Sequence, residues 1–152
     1  MSSSDGTRIG KQEIRNVNKN PNPCESKKMS SCQIVSSTTA ATTTSETFVD
    51  VPEMSVVLPA GKYAVFFSGT AQSSKSDAVC SIAIFNGNTQ KDESYRELFA
   101  NGENHANNFK VSMHTQDIVA SDGIKPIRVC WKTTKGNFRT FNRSLLIMKA
   151  TD

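Results

Sequence analysis

The sequence predicts an all-β protein, an antiparallel sandwich or jelly roll, and three observations carry that prediction. About eight short segments are crowded with β-branched and aromatic residues, turn signals separate them at short intervals, and no stretch shows a convincing helical period. Parallel α/β folds need helical segments between strands and are excluded. With 152 residues, 36% hydrophobic and 7% aromatic, the chain has material for one domain with a sufficient core and little for a second.

The elements follow in order. Residues 1 to about 33 are rich in Ser, Asn, Lys and Pro and hold only isolated apolar residues, Ile9, Ile14, Val17 and Met29. Such a segment cannot bury enough to fold alone, so 1–33 is predicted to be a polar basic N-terminal tail or docking strap, and 34–152 the domain. Gln33 to Ser37 is a short first strand. Ser36 to Glu46 is a Thr/Ser/Ala run that suits a polar edge strand or extended connector. Thr47 to Val51 alternates and Pro52 stops it. Met54 to Leu58 and Tyr63 to Ala71 are strands joined through Pro59 and Gly61, as a hairpin or a sheet corner. Ser73 to Asp77 turns, Ala78 to Phe85 is a strongly apolar strand, and Asn86-Gly87-Asn88 turns again.

Residues 89–100 can be read as one amphipathic helical stretch, but a strand, or a loop plus a short strand around Tyr95 to Phe99, is preferred, because the flanks are uniformly β and a lone helix would need a sheet face to cover. Asn101 to Asn108 is an exposed loop by composition. In Phe109 to Val119 apolar Phe109, Val111 and Met113 alternate with Lys110, Ser112 and His114, the half-buried pattern. Ser121-Asp122-Gly123 turns the chain. Ile127, Val129 and Trp131 form one face of the next strand, and Lys135-Gly136-Asn137 turns into the last, Phe138 to Ala150.

Two strands are apolar on both sides. Tyr63, Val65 and Phe67 share one face with Ala64 and Phe66 on the other, and Leu145 and Ile147 oppose Leu146 and Met148. A strand of that kind lies between layers or under a neighbouring subunit. Two of them point to a subunit contact.

Charge is segregated along the chain. Residues 1–33 carry +3, residues 34–124 carry −5 and residues 125–152 carry +6, for a net +4. The favoured reading is pairing of opposite charges across neighbouring strands; the alternative is a basic surface for an anionic partner. No zinc finger, helix-turn-helix or aromatic-rich RNA-binding pattern accompanies the charge, so nucleic acid is not the expected partner. No apolar run is long enough for a membrane-spanning helix, and the first residues lack the apolar core of a signal peptide.

The four cysteines, Cys24, Cys32, Cys80 and Cys130, are too few and scattered for a disulfide scaffold. Cys24 and Cys32 lack metal-ligand spacing, although a local disulfide between them is open in an oxidising setting. Cys80 shares a face with Ile82 and Ile84 and reads as a small buried hydrophobe, whereas Cys130 opposes Ile127, Val129 and Trp131, which argues against a bridge between the two.

The segment FVDVPEMSVVLPAGKYAVFF (Phe48 to Phe67) resembles the strand, Pro-x-Gly-x-Tyr corner and aromatic strand of jelly-roll domains of the tumour-necrosis-factor and C1q type. The ending IRVCWKTTKGNFRTFNRSLLIMKA (Ile127 to Ala150) is similar to the closing strand pair of C1q-like heads on viral, phage and bacterial fibre proteins. The resemblance runs from about Phe48 to the C-terminus and implies a trimer-forming jelly roll with its two-sided strands at the threefold contact: Tyr63, Val65, Phe67, Leu146 and Met148. It also implies display on a stalk, and recognition through exposed loops or clefts between subunits. This chain departs from the pattern in having a polar tail in place of a collagen-like or coiled-coil stalk.

Enzymatic signatures are missing: there is no HExxH, GxSxG, phosphate-binding GxxxxGK or paired-carboxylate pattern. The two histidines, His105 and His114, fall in a polar loop and on a solvent face. Adjacent Asp92 and Glu93 point apart on a strand, and no cofactor is expected. Calcium is conceivable through Asp77, Asp117 or Asp122, without recognisable loop spacing. Trp131 reads as packing rather than a sugar platform, and Arg143 as half of a structural ion pair. Asn142-Arg143-Ser144 is a glycosylation sequon that matters only in a secretory pathway. Ligand recognition is placed on Tyr95, Arg96, Asn101, Glu103, His105 and Asn107, the most polar loop region.

The expected function is therefore a non-enzymatic homotrimeric attachment module of a virion, fibre or extracellular surface structure. It would bind a cell-surface receptor or glycan. One alternative is a structural or cementing, capsid-associated protein whose tail docks on other subunits. The other is a polyanion-binding module.

Overall fold

The computed structural model describes residues 32–99 and 110–150. These form ten strands, β1 (Cys32–Ser37), β2 (Ala41–Thr43), β3 (Val49–Val57), β4 (Gly61–Ser73), β5 (Val79–Asn86), β6 (Thr89–Gln90), β7 (Arg96–Phe99), β8 (Val111–Ser121), β9 (Pro126–Thr133) and β10 (Phe138–Lys149). One 3-10 turn, Asp92–Ser94, precedes β7. One sheet runs β1-β10-β4-β8, with β2 also on β10, and the other runs β3-β9-β5-β6, with β7 also on β5. All pairings are antiparallel. The chain crosses between sheets from β3 to β4 to β5 and again from β8 to β9 to β10, the winding of a jelly roll. The Pro59 and Gly61 connection is thus a sheet corner.

Strand alternation decides what enters the sandwich. Tyr63, Val65 and Phe67 of β4 and Leu145 and Ile147 of β10 face Ile82 and Ile84 of β5 and Val129 and Trp131 of β9. Trp131 is fully buried, its ring centroid 5.2 Å from that of Phe138. The expected tail, 1–33, lies outside the described residues apart from Cys32 and Gln33, which already belong to β1.

Two bulges depart from the expectation. Pro52 does not end a strand: β3 runs through it as one element, absorbing the separate strand expected from Met54. The physical reason is position, because β3 is a sheet edge, where a residue without an N–H costs no ladder bond. The irregularity is taken up at Glu53, with φ 67°, and the register against β9 shifts between Asp50 and Ser55. The second bulge lies in β10 between Phe141 and Ser144, at Asn142 with φ 42°. It switches the phase of the strand. Phe138 and Thr140 face inward before it, and Arg143, Leu145 and Ile147 after it.

Gly136 closes the turn before β10 with φ 68°, and a Cβ there would stand 2.5 Å from Lys75 Cγ and 2.7 Å from Ser74 Oγ. Ser74 N–H donates to Asn137 O at 2.9 Å and Asn137 N–H to Ser74 Oγ at 2.7 Å, so the two loops are tied and only glycine fits.

Candidate functional site

Opposed residues on antiparallel neighbours share a face, so the register lays out the outer surface of the β1-β10-β4-β8 sheet row by row. One row is Ile34, Leu146, Phe66 and Gln116, and the next is Cys32, Met148, Ala64 and Ile118. Neither row holds a charged side chain. Ile34 is 65% and Ile118 55% exposed, while Leu146, Met148 and Phe66 are half-buried. On the far side of the first row the surface becomes polar with Ser36, Ser144, Ser68 and His114, and the Ser68 and Ser144 hydroxyls are 2.9 Å apart. An open antiparallel face is ordinarily polar, and a contiguous apolar field on one marks an interaction surface.

Three of the five residues expected at a subunit contact need correction. Tyr63, Val65 and Phe67 are 4%, 0% and 3% exposed, covered by the opposite sheet of their own chain. The Tyr63 hydroxyl donates to Pro59 O at 3.0 Å. Leu146 and Met148 do lie on the outer face, and their neighbours there are Ala64, Phe66, Ile34 and Ile118. The serines held the signal: Ser68 is in step with Ala64 and Phe66, and Ser144 with Leu146 and Met148, marking the water side of both strands. Ile34 and Ile118 carried no such mark, since strand pairing alone brings them alongside.

At the β8 edge the face opens into a groove of about 730 Å³, between Phe66, Gln116 and Ile118 on one side and Gln90, Lys91 and Arg96 on the other. Ser94 fixes the far wall. Its hydroxyl donates to Lys91 O at 2.6 Å and accepts from Ile84 N–H at 2.8 Å, while its carbonyl accepts from the Thr115 hydroxyl of β8. Arg96 donates to Glu93 O at 2.8 Å and Tyr95 O at 2.7 Å. Asp117 Oδ1 accepts from Ile118 N–H at 2.6 Å, and its Oδ2 is buried without a hydrogen-bond partner.

Tyr95, expected beside Arg96 in recognition, is instead packed on the outer side of the other sheet. Its ring stands edge-on to Phe48 with centroids 6.2 Å apart, and its hydroxyl meets Ser81 at 3.2 Å and donates to Glu97. Burial, then the bond to the Glu97 carboxylate, holds that hydroxyl above its ordinary pKa. Asn101, Glu103, His105 and Asn107 lie outside the described residues.

No protein-family profile matches the sequence, and no curated protein matches it. Solved structures do superpose. A mutant VP2 protein of infectious bursal disease virus in derived T=1 particles is 12% identical with a TM-score of 0.54, over 98% of this chain and 40% of that one. The Gt strain of the same virus gives 12% identity and a TM-score of 0.52, over 94% of this chain and 38% of that one. The fold is a jelly roll. The chain spans about two fifths of the length of those viral chains. The Eiger TNF of S. frugiperda superposes more loosely, at 11% identity and a TM-score of 0.47, over 80% of this chain and 94% of that one.

Part of the charge on the jelly roll is paired. Four ion pairs occur among the described residues: Arg128 with Asp50 at 2.7 Å, Lys125 with Asp122 at 3.5 Å, Arg143 with Glu53 at 3.3 Å, and Lys135 with Asp77. Each joins the basic end of the chain to its acidic middle, but only Arg128 with Asp50 does so across neighbouring strands, the form expected from the charge blocks. The bond from Lys135 holds Asp77 below its ordinary carboxylate value, and the backbone N–H groups of Lys125 and Ile124 do the same for Asp122. Two of the three aspartates considered for calcium thus already have cationic partners. Among the described residues no cluster of three or more His, Cys, Asp or Glu is placed to hold a metal.

Cys80 and Cys130 are free thiols on opposite faces of their sheet, as alternation predicts, and both are buried; Cys32 is exposed. Cys130 Sγ lies 3.3 Å from Asp50 Oδ1. Burial, then that bond, pushes the Cys130 thiol up to about 12 from 9.0, and burial raises Cys80 as well. Between those values the folded chain keeps a proton that the unfolded chain has released, so this contribution is intact below pH 9 and fades as pH climbs toward 12. Urea midpoints are therefore expected to fall from about pH 9 upward, and less steeply in Cys130→Ser. Identical pH profiles for the two proteins would refute this.

Proposed function

We propose that this jelly roll is a non-enzymatic, self-associating module in which three copies pack through the outer face of the β1-β10-β4-β8 sheet. The assembly serves as part of a virion or fibre surface and attaches to a cell-surface receptor or glycan from its edges. The observation that carries the reading is the pair of charge-free rows centred on Leu146, Phe66 and Met148, which leaves apolar surface in water on a lone chain. A ring of three joins one surface of each copy to a different surface of the next, and the groove along β8 borders the apolar field where a second surface would enter. The viral particles named among the superposed structures support a place in a virion.

Phe66→Asp and Leu146→Asp test it. Each puts a charge in the middle of an apolar row, at a cost of several kcal/mol per contact once water is excluded. Sedimentation at micromolar concentration is expected to give a three-chain mass for the parent and a one-chain mass for both variants, with unchanged circular dichroism. A parent that sediments as a single chain removes the proposal.

A further inference from the structure

The far end of the same sheet face carries a different chemistry. Before the β10 bulge the outward residues are Arg139 and Phe141, and the register sets Phe141 beside Thr70, which in turn faces Ser112 of β8. The Lys110 ammonium lies 4.8 Å from the centroid of the Phe141 ring, and the Arg139 guanidinium carbon lies 5.1 Å from it. Two exposed cations, one leading into β8 and one on β10, thus meet on a single half-buried ring.

The ring holds each cation by its quadrupole but does nothing to relieve the repulsion between them. Among the described residues Lys125, Arg128, Lys135 and Arg143 each have a carboxylate, whereas Lys110 and Arg139, like Lys132 and Lys149, have no ion pair; what sets Lys110 and Arg139 apart is that they share one ring. Both cations are therefore held on the ring without a carboxylate among the described residues, with the hydroxyl residues Thr70 and Ser112 alongside. An anionic group on a hydroxyl-bearing scaffold satisfies that set of donors and acceptors.

We propose that Lys110 and Arg139, held on Phe141, bind the sulfate or carboxylate groups of an acidic glycan. A glycan fits better than a nucleic acid because, among the described residues, Phe141 is the one ring at the site, and two cations already stand over it where a base would stack. The site names the ligand class for the attachment reading, and it rests on that reading only for its role on a particle. It lies four residues along β4 from Phe66, about 13 Å, so it borders the association face without forming its centre.

The test uses the full chain on immobilised heparin and in titration with heparin oligosaccharides. The parent is expected to be retained at about 0.1 M salt and to elute as salt rises, because screening weakens exposed charge contacts. Lys110→Ala combined with Arg139→Ala is expected to bind about tenfold or more weakly. Lys132→Ala, which removes the cation over Phe48 on the other sheet, is expected to bind like the parent. Arg139→Lys keeps the charge and most of the affinity. A parent that is not retained, a double variant that binds like the parent, or single-stranded RNA that competes as well as heparin would each overturn the glycan site. Sedimentation of the same samples separates the two proposals: a three-chain species that ignores heparin refutes only this one.

Discussion

Replacing Arg143 with methionine is expected to destabilise the protein by about 2–4 kcal/mol, the loss of its charged hydrogen bonds to two carbonyls. The β10 bulge turns this guanidinium inward, where it is 2% exposed. There it donates to Pro52 O at 3.0 Å, to Thr39 O, and to Glu53 Oε2 at 3.3 Å. One side chain thus ties β10 to the bulge of β3 and to the link between β1 and β2. Glu53 is more than half exposed and returns to water when Arg143 is lost. The two carbonyls belong to exposed residues and their bonds are part-buried, so each lost charged donor costs about 1–2 kcal/mol. Arg143→Lys recovers less than half of the loss, since one ammonium cannot reproduce the fork across three acceptors. Urea unfolding measures the effect, and a loss below about 1 kcal/mol would show that water replaces the guanidinium.

Trp131→Ala is expected to cost a similar amount, about 3–5 kcal/mol, because it empties the largest fully buried side-chain volume in the sandwich. The ring packs on Phe138, and its strand neighbour across β5 is Ile82, so both sheets lose contacts at once. For a domain of this size the melting temperature should drop by roughly 10–20 °C. Trp131→Phe should retain about half of the difference, since part of the volume and the aromatic contact survive. An unchanged melting temperature would instead place the ring at a surface, where a sugar platform would need it.

The strands were legible in the sequence because alternation is local. Tyr63 to Phe67 and Leu145 to Met148 announce two apolar faces without any knowledge of the partner strand. Which face is the core depends on pairing and on phase, and that is where residue assignments went astray at Tyr63, Val65 and Phe67. Cys80 and Cys130 were separable for the same local reason. Pro52 shows the opposite case, a strong local stop signal overridden because the strand is an edge with a bulge. The groove was not legible at all: Ser94, Arg96 and Gln116 come together only through the turn before β7 and the bond from Thr115. The pairing of the charge blocks could be read in bulk, but its partners, such as Arg143 with Glu53, depend on two bulges that no short window reveals.

In the proposed assembly further copies of the chain cover the field around Phe66 and Leu146. Hydroxyl-radical footprinting of the native assembly, read residue by residue, tests it most directly. Phe66, Leu146 and Met148 are expected to label far more slowly than their half-open state in one chain allows, while Phe99, 60% exposed on the other sheet, labels at its full rate. Labelling of all four in proportion to their exposure in a single chain would contradict it.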